Sequence, residues 1–396
     1  MIQLPISNFQ FPPSNMRIAI DLSPAIHQKA GLGRYARTLA EHLVAEDRAN
    51  EYAAFAYGNF RADALPPALR ALPRLNIPLD ARPWRMGIWL AHALNAPLDR
   101  AFPHVDLFHA TEHLLPRFKK IKTVFTLHDL IFQFFPEYHL PLNRWFLVNA
   151  MPHFLRRADA IIAVSECTKR DAITTYQLPP EKITVIHEGV NPALKPETEA
   201  NKIAKVRSKY AHNEPFLFFV STIEPRKNVI ALVDSLRVLR ARGYSQRLLI
   251  AGRKGWLYQA TFKHVKKTGM ESVVDFLDYV PDEDLPALFA ACDAFVFPSL
   301  YEGFGLPPLE AMACGAPVVA SNTSALPEIL GDAALLVNPR EVGAIADAIE
   351  RVITNRALRD ELRAKGIAQA AKFSWERAAR ETLNVYERVF RKEIER

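Results

Sequence analysis

The chain has 396 residues, 49% of them hydrophobic and 23% charged, with a formal net charge of +7. That length suits two domains of ordinary size, each with its own core, and that composition excludes a disordered or fibrous protein. No apolar run reaches the roughly 18 residues of a membrane-spanning helix and residues 1–15 lack the basic start and apolar core of a secretion signal, so a cytoplasmic location is expected.

Residues 1–15, aperiodic and proline-containing, read as a loose N-terminal extension. From Met16 short apolar runs alternate with helical periodicity: RIAIDL, GRYARTLAEHLVAE, EYAAFAYG, VDLFHA, KTVFTLHD, RADAIIAVS and KITVIHEG. Continuous Val, Ile, Leu and Phe runs separated by helices are the pattern of a parallel sheet covered on both faces. A Rossmann-like first domain is therefore expected over residues 16–195. Within it, GLGRYA at 31–36 fits the dinucleotide pattern G-x-G-x-x-G/A. The first strand, however, ends near Asp21 or Leu22 with SPAIHQKA in between, and the second ends in YGN without an acid to hold a ribose, so a nicotinamide cofactor is rejected. Two readings of Gly31 and Gly33 remain. Either they feed a helix N-terminus whose N–H groups and positive dipole end suit a phosphate, or they belong to an ordinary loop that needs unusual dihedrals.

His109 and His128 each end a strand at the sheet's carboxyl edge, as ligand-facing groups or as hydrogen-bonded core residues. His109 and His113 fall at H-x-x-x-H spacing, but His109 ends a strand, where positions four apart stand too far from each other to share one ion, so a zinc site is not expected. Ser165 precedes a helix and reads as its N-cap rather than as a nucleophile.

After VNPALKPETEAN the pattern restarts with PFLFFVST, RLLIAGR, VVDFLDYV, DAFVFPS, APVVAS and AALLVN, each followed by a helix signal. A second Rossmann-like domain is expected over 196–373. Residues 374–396 are helical in period, with an apolar stripe through Ala379, Leu383, Tyr386 and Phe390, and are expected to cross back to the first domain. The fold class is thus α/β, with two Rossmann-like domains in succession.

VSTIEPRKNV places Glu224, Arg226 and Lys227 just beyond the carboxyl end of a strand, where open parallel sheets bind ligands. An arginine grips phosphate with two donors and a lysine adds a point charge, a pair suited to a diphosphate leaving group. The alternative is a solvated helix start, which two cations would oppose through the helix dipole. In LYEGFGLPPLEAMACGAPVVAS, Glu302 falls in the loop after a strand. Pro308 then sits near the first position of a short helix and Gly315 just past its end, which puts Glu310 in the first turn. Two carboxylates at a sheet edge fit a glycosidase pair. The glycines between them, Gly303 and Gly305, favour instead a polar ligand lying close to the backbone, with the carboxylates holding sugar hydroxyls. Dipole compensation is the other account of Glu310, and a solvated loop acid that of Glu302. Cys167, Cys292 and Cys314 match no metal or disulfide spacing and read as core thiols.

The positive charge fits an anionic partner without separating phosphorylated substrates from acidic lipid. No recognition helix, zinc module or aromatic-basic RNA motif occurs, so nucleic acid is not an expected partner. RMGIWLAHALNAPLDRAFP and NRWFLVNAMPHFLRRADA mix basic residues with Trp, Phe and Leu. Such stretches suit core helices, or a face resting peripherally on an anionic membrane.

Taken together, GLGRY, TLHDL, VSECTKRD, HEGVN, TIEPRKN, YVPDEDLPALFAACDAFVFPSLYEGFGLPPLEAMACGAPVVAS and LPEILGDAALLVNP resemble glycosyltransferase family four, the retaining nucleotide-sugar transferases of GT-B type. The likeness runs from about Met16 to Tyr386, the glutamate pair with seven residues between is its most specific mark, and it implies that the two Rossmann-like domains face a central cleft. It implies that Arg226 and Lys227 bind the donor diphosphate, that Gly33, beside Gly31, offers backbone to the distal phosphate, and that Glu310 holds the nucleotide ribose. It implies further that Glu302 contacts hydroxyls of the transferred sugar, with the loop of Gly303 and Phe304 and the backbone of Gly305, Leu306 and Pro307 along sugar and phosphate. His128 matches the family's active-site histidine, and Tyr279, Val280 and Asp282 would line the base. The implied reaction loosens the glycosidic bond to an oxocarbenium-like state, while cations and a helix N-terminus stabilise the departing diphosphate and the acceptor attacks from the same face. No metal or other cofactor is implied. One departure stands out: Ser221 and Thr222 occupy the region where some members carry a further arginine.

The resemblance is to bacterial mannosyltransferases of surface polysaccharides. The expected donor is therefore GDP-mannose, with UDP-glucose and related donors the alternative, and the expected acceptor a glycan or a lipid-linked glycan. A non-catalytic nucleotide-sugar sensor, or a hydrolase or epimerase on the same fold, are the rival functions, and the intact motifs count against both.

Overall fold

In the computed structural model, which describes residues 16–28 and 30–394, the chain forms two α/β units, each around one parallel sheet. Unit 1 takes residues up to Gln133, Pro141–Gly189 and the chain from Trp375 onward; unit 2 takes Phe134–Leu140 and Val190–Ser374. The expected extension at 1–15 lies outside the described residues.

The unit 1 sheet contains β1 (Arg17–Asp21), β2 (Glu51–Tyr57), β3 (Arg74–Ile77), β4 (Leu107–Ala110), β5 (Lys122–Leu127), β6 (Ala160–Ala163) and β7 (Ile183–Val185). Their order is β3-β2-β1-β4-β5-β6-β7, every pairing parallel. The chain winds outward one way from β1 and then the other way from β4, so the switch point lies between these two strands. The reason the strands read as unbroken apolar runs is visible in β4 and β2: Leu107 and Phe108 are fully buried, as are Ala53, Ala54 and Ala56.

The unit 2 sheet contains β8 (Phe216–Val220), β9 (Arg247–Ala251), β10 (Val274–Asp278), β11 (Ala294–Phe297), β12 (Val318–Ser321) and β13 (Ala334–Val337), in the order β10-β9-β8-β11-β12-β13. It too is parallel throughout, with its switch point between β8 and β11. Phe216, Phe218, Phe219, Phe295 and Phe297 fill its centre, all fully buried.

Three boundaries differ from the sequence expectation. β3 is added between Pro73 and Pro78, at the edge of the sheet where a missing N–H is tolerated. The changeover falls at Gly189 and Val190 rather than after residue 195. Residues Phe134–Leu140, inside the first stretch of sequence, pack with unit 2: the rings of Phe134 and Phe135 lie 5.7 and 6.0 Å from that of Tyr301, and Trp256 Nε1 donates to the Tyr138 carbonyl.

The C-terminal helix, Trp375–Ile394, belongs to unit 1 and packs along the helix Ala30–Glu46. Its buried face runs through Trp375, Ala378, Ala379, Thr382, Val385, Tyr386 and Val389, with Leu383 and Phe390 only half-buried, so the stripe is rotated slightly from the expected one. Complete burial of Trp375 and Tyr386 is worth about 2 kcal/mol or more each.

Candidate active site

In unit 2 the switch point brings together the two segments the sequence singles out. β8 ends at Val220 and leads into a single 3-10 turn, Pro225–Lys227; β11 ends at Phe297 and leads into the loop carrying Glu302. The loops are stitched to each other by backbone: Leu300 N–H donates to the Arg226 carbonyl at 2.9 Å. Asn228, in the left-handed region with φ 56°, adds its side-chain amide, which donates to the carbonyls of Pro298 (3.1 Å) and Pro339 (2.7 Å).

The charged side chains form one buried cluster. Glu302 Oε2 accepts from Arg226 Nη1 at 2.7 Å, and Glu302 Oε1 accepts from Lys227 Nζ at 2.6 Å. Arg226 Nη1 also donates to the Tyr301 carbonyl at 2.9 Å. Its other edge is held by Glu224, whose Oε1 accepts from Nε (3.0 Å) and Nη2 (2.7 Å). Glu224 is 2% exposed, and its second oxygen, Oε2, is buried without a hydrogen-bond partner among the described residues.

Two cations and two carboxylates thus share one site. Burial alone would raise the Glu302 carboxyl, but Arg226, Lys227 and the Ser299 hydroxyl hold it down at about 2. Burial, with Arg226 beside it, lowers the Lys227 ammonium. Glu224 moves the other way: burial raises it against the pull of Arg226 and Lys227. Neither cation is the solvated helix start that was the alternative reading. Sequence reasoning placed Glu224 in the segment but gave it no role, because nothing in the spacing shows its side chain folding back onto Arg226.

The Glu302 loop runs into the helix Leu306–Ala313, which begins two residues before Pro308. Glu310 therefore lies in the second turn, buried, and not in the first turn as expected, which removes most of the dipole-compensation reading. Its charge, after burial, helps push the Cys314 thiol up to about 12. Gly305 caps this helix with φ 109°, and a Cβ there would come within 2.6 Å of Leu326 Cδ2. Only glycine meets both demands. Gly303 and Phe304 are buried, the Phe304 ring packing on Phe373 at 5.8 Å. Leu306 and Pro307 are half-buried, and Pro307, lacking an N–H, can offer a ligand only its carbonyl. Beyond β10, Tyr279 is 68% exposed and Asp282 is exposed, while Val280 is buried.

In unit 1, Gly31 and Gly33 lie inside the first turns of Ala30–Glu46, not in a loop before it, and neither has a positive φ. Gly33 is required for another reason: a Cβ would sit 2.7 Å from the Pro24 carbonyl oxygen. His128 follows β5 and is buried. Its Nε2–H donates to the Thr111 carbonyl at 2.9 Å, its Nδ1 lies 3.7 Å from Glu188 Oε1, and its ring meets Tyr35 edge-on at 4.6 Å. Glu188, from the HEGVN stretch, is a buried neighbour to which sequence reasoning assigned no role. His109 is a core residue, bonded to Tyr386 OH (2.6 Å) and Thr126 Oγ1 (2.8 Å), and burial lowers its imidazole to about 3. Ser165 caps the helix Glu166–Tyr176, its hydroxyl accepting from Thr168 N–H at 3.1 Å.

Chemically, the unit 2 cluster offers cations beside a carboxylate that stays ionised, next to a glycine loop that lets backbone approach a ligand. Among the described residues no group of three or more His, Cys, Asp or Glu side chains is placed to hold a metal ion.

Residues 30–194 match the family described as Glycosyltransferase Family 4, and residues 200–371 the family described as Glycosyl transferases group 1. The chain is 30% identical over 387 residues to the O-antigen chain mannosyltransferase B of Escherichia coli, covering 94% of this chain and 99% of that one. It is 36% identical over 264 residues to the serotype-specific mannosyltransferase WbdA of Escherichia coli, spanning 65% of this chain but only 32% of that longer protein. In fold it is similar to sucrose-phosphate synthase from Thermosynechococcus elongatus (TM-score 0.73, 20% identity, 96% of this chain and 100% of that one). It is similar also to Anabaena HepE in complex with UDP-glucose (TM-score 0.70, 21% identity, 94% of this chain and 100% of that one).

Proposed function

The chain belongs to glycosyltransferase family 4, and on that premise we propose that it is a retaining mannosyltransferase, moving mannose from GDP-mannose to a glycan or lipid-linked acceptor in surface polysaccharide synthesis. The observation that carries the reading is the Arg226–Lys227–Glu302 cluster at the switch point of unit 2. Mannose is favoured because both Escherichia coli relatives are named as mannosyltransferases.

In this proposal Arg226 and Lys227 meet the diphosphate, and Glu302, kept ionised by those same cations, accepts hydrogen bonds from hydroxyls of the transferred sugar. Glu310 holds the ribose, and the loop of Gly303, Phe304, Gly305, Leu306 and Pro307 runs along sugar and phosphate. Tyr279, Val280 and Asp282 line the base, and the helix of Gly31 and Gly33 and the imidazole of His128 serve the distal phosphate and the sugar. Glu224 balances part of the positive charge, so the diphosphate meets a pair of cations already held in place rather than two mobile ones. As the glycosidic bond lengthens, negative charge gathers on the leaving diphosphate, where fixed cations stabilise it most. The acceptor hydroxyl attacks from the face the diphosphate leaves, and the departing phosphate takes its proton. No metal or other cofactor enters the proposal, since side-chain cations answer the developing charge.

The acceptor belongs to unit 1 in this reading. The helices Ala81–Ala93 and Pro141–Arg157 bury Trp84, Ile88, Phe146 and Phe154 and expose Met86, Leu90, Leu142 and Trp145. The exposed face is proposed to rest peripherally on an anionic membrane. No helix among the described residues is long and apolar enough to cross a membrane.

The test is nucleoside-diphosphate release from a panel of GDP- and UDP-sugars, with and without a lipid-linked glycan fraction, in the presence of a chelator. Acceptor-dependent release from GDP-mannose, with the α-anomer retained in the product by proton NMR, supports the proposal. Release from a UDP-sugar alone replaces the donor; an inverted product removes the retaining mechanism. Donor binding without release from any of them favours a sensor.

A further inference from the structure

At the opposite edge of the unit 1 sheet, where β5 and β6 begin, lies a cavity of about 170 Å³. It is lined by five cations, Arg117, Lys119, Lys120, Lys122 and Arg157, together with His92 and one acid, Asp159. The proposed transfer chemistry uses none of these residues.

Four of these five cations are not paired with a carboxylate of the described residues. Asp159 is already engaged, its Oδ2 accepting the Thr123 N–H (2.8 Å) and hydroxyl (2.9 Å). The nearby Asp99 carboxylate accepts backbone N–H groups of Lys119, Lys120 and Ile121 at 2.7 to 3.2 Å. Among the described residues Arg117, Lys119, Lys120 and Arg157 have no carboxylate ion-pair partner, and Arg117 donates instead to Asn95 Oδ1 at 2.9 Å. The helices Ala81–Ala93 and Pro141–Arg157 end at this cavity, and two helix C-termini contribute only about half a negative charge each. A surplus of positive charge remains. Its crowding is felt by its own members: burial and then Arg117 lower the Arg157 guanidinium, and burial, with Arg157, His153 and Arg117, lowers the His92 imidazole to about 4.

His92 supplies a second, independent sign. It is 2% exposed, its Nε2–H donates to the Leu115 carbonyl at 2.8 Å, and its Nδ1 is buried with no hydrogen-bond partner among the described residues. A polar atom left without a partner, on a residue that lines a cationic cavity, is costly unless a ligand completes it.

We propose that this cavity binds a phosphate group, from a free phosphate or phosphomonoester or from the headgroup of an anionic phospholipid. A tetrahedral phosphate has oxygens enough to engage two guanidinium groups and the lysine ammoniums together, which a planar carboxylate has not. A protonated oxygen of free phosphate or a phosphomonoester, or a hydroxyl of a phosphodiester headgroup, also brings the donor that Nδ1 lacks. The lipid source gains from Leu90 and Leu94, 42% and 74% exposed, which flank His92 in sequence. The site does not rest on the glycosyl-transfer reading.

The test titrates inorganic phosphate into the full chain labelled at histidine and follows the His92 ring nitrogens by NMR. A saturable shift is expected, with affinity falling at least tenfold in the Arg117→Gln/Arg157→Gln variant and in the separate Lys119→Gln/Lys120→Gln variant. Both pairs are partly or fully exposed, so folding survives, and lipid-free nucleoside-diphosphate release stays as in the wild type. Displacement of phosphate by phosphatidylglycerol vesicles, but not by phosphatidylcholine vesicles, names the lipid headgroup as source. Absence of displacement names the free anion, and either result keeps the site. No saturable shift, or an affinity unchanged from the wild type in both variants, overturns it.

Discussion

Lys227 Nζ and Glu302 Oε1 lie 2.6 Å apart, both side chains less than a tenth exposed, and the same carboxylate also takes Arg226. A buried pair of this kind contributes little net stability, yet breaking it strands a charge away from water. Lys227→Met and Glu302→Gln are each expected to cost about 3 kcal/mol in urea unfolding. The double variant should cost less than the sum by at least about 1 kcal/mol, because Arg226 keeps Glu224 as its counter-charge. Strict additivity would show that the two groups do not interact in solution.

Glu224 is expected to act through Arg226. Glu224→Ala should lower kcat/KM for the nucleotide sugar about tenfold to a hundredfold, the loss of a charge-assisted hydrogen bond to the guanidinium. Glu224→Gln keeps one acceptor oxygen for Arg226 and should recover most of the loss. Equal damage from both variants would mean that the negative charge, not the positioning, is what matters.

Gly305→Ala places a side chain at φ 109° and against Leu326. The strain should lower stability by about 1–3 kcal/mol, read as a drop in Tm. The Leu326→Ala background should recover the part due to the clash but not the part due to φ.

Acid should destabilise unit 1 before it touches the charge cluster. His109 and His92 are held neutral by burial, near 3 and 4, whereas an unfolded histidine takes a proton near 6.5. Their folded pKa values are depressed, so stability falls as pH drops below about 6.5, by about 2 kcal/mol per histidine at pH 5. Glu302 adds its own loss only below the carboxylate range, between about 4.3 and its folded value of about 2. Urea midpoints at pH 7 and pH 5 test the first window, and His109→Gln should flatten it by about half.

The strands of both sheets were legible because parallel strands buried on two faces leave continuous apolar runs, as in FLFFV of β8 or AFVF of β11. β3 was not, since RLNI is short, half polar and bracketed by prolines. Nor was the allegiance of Phe134–Leu140, which is decided by contacts to Tyr301 and Trp256 more than a hundred positions away. In the candidate site, Arg226, Lys227 and Glu302 could be placed from strand ends and glycine spacing. What the letters did not carry was their mutual pairing, the grip of Glu224, or the clamp made by Asn228, all of which depend on which loops the sheet order sets side by side. The helix start two residues before Pro308 likewise moved Glu310 by a turn, because prolines are tolerated anywhere in a first turn.

The bond between His109 on β4 and Tyr386 near the end of the described chain ties the assembly of unit 1 to the order in which it is made. During translation the residues of β1 to β7 emerge long before Trp375–Ile394 exist, and all of unit 2 except Phe134–Leu140 is synthesised in between. Until the last helix arrives, Ala30–Glu46 lacks the helix that packs along it and the His109 ring lacks one of its two partners. The early half must wait, half-finished, for the late one. A released chain ending at residue 374 should therefore hold unit 2 in protease-resistant form while unit 1 is still cut, and should depend on chaperones that shield Ala30–Glu46.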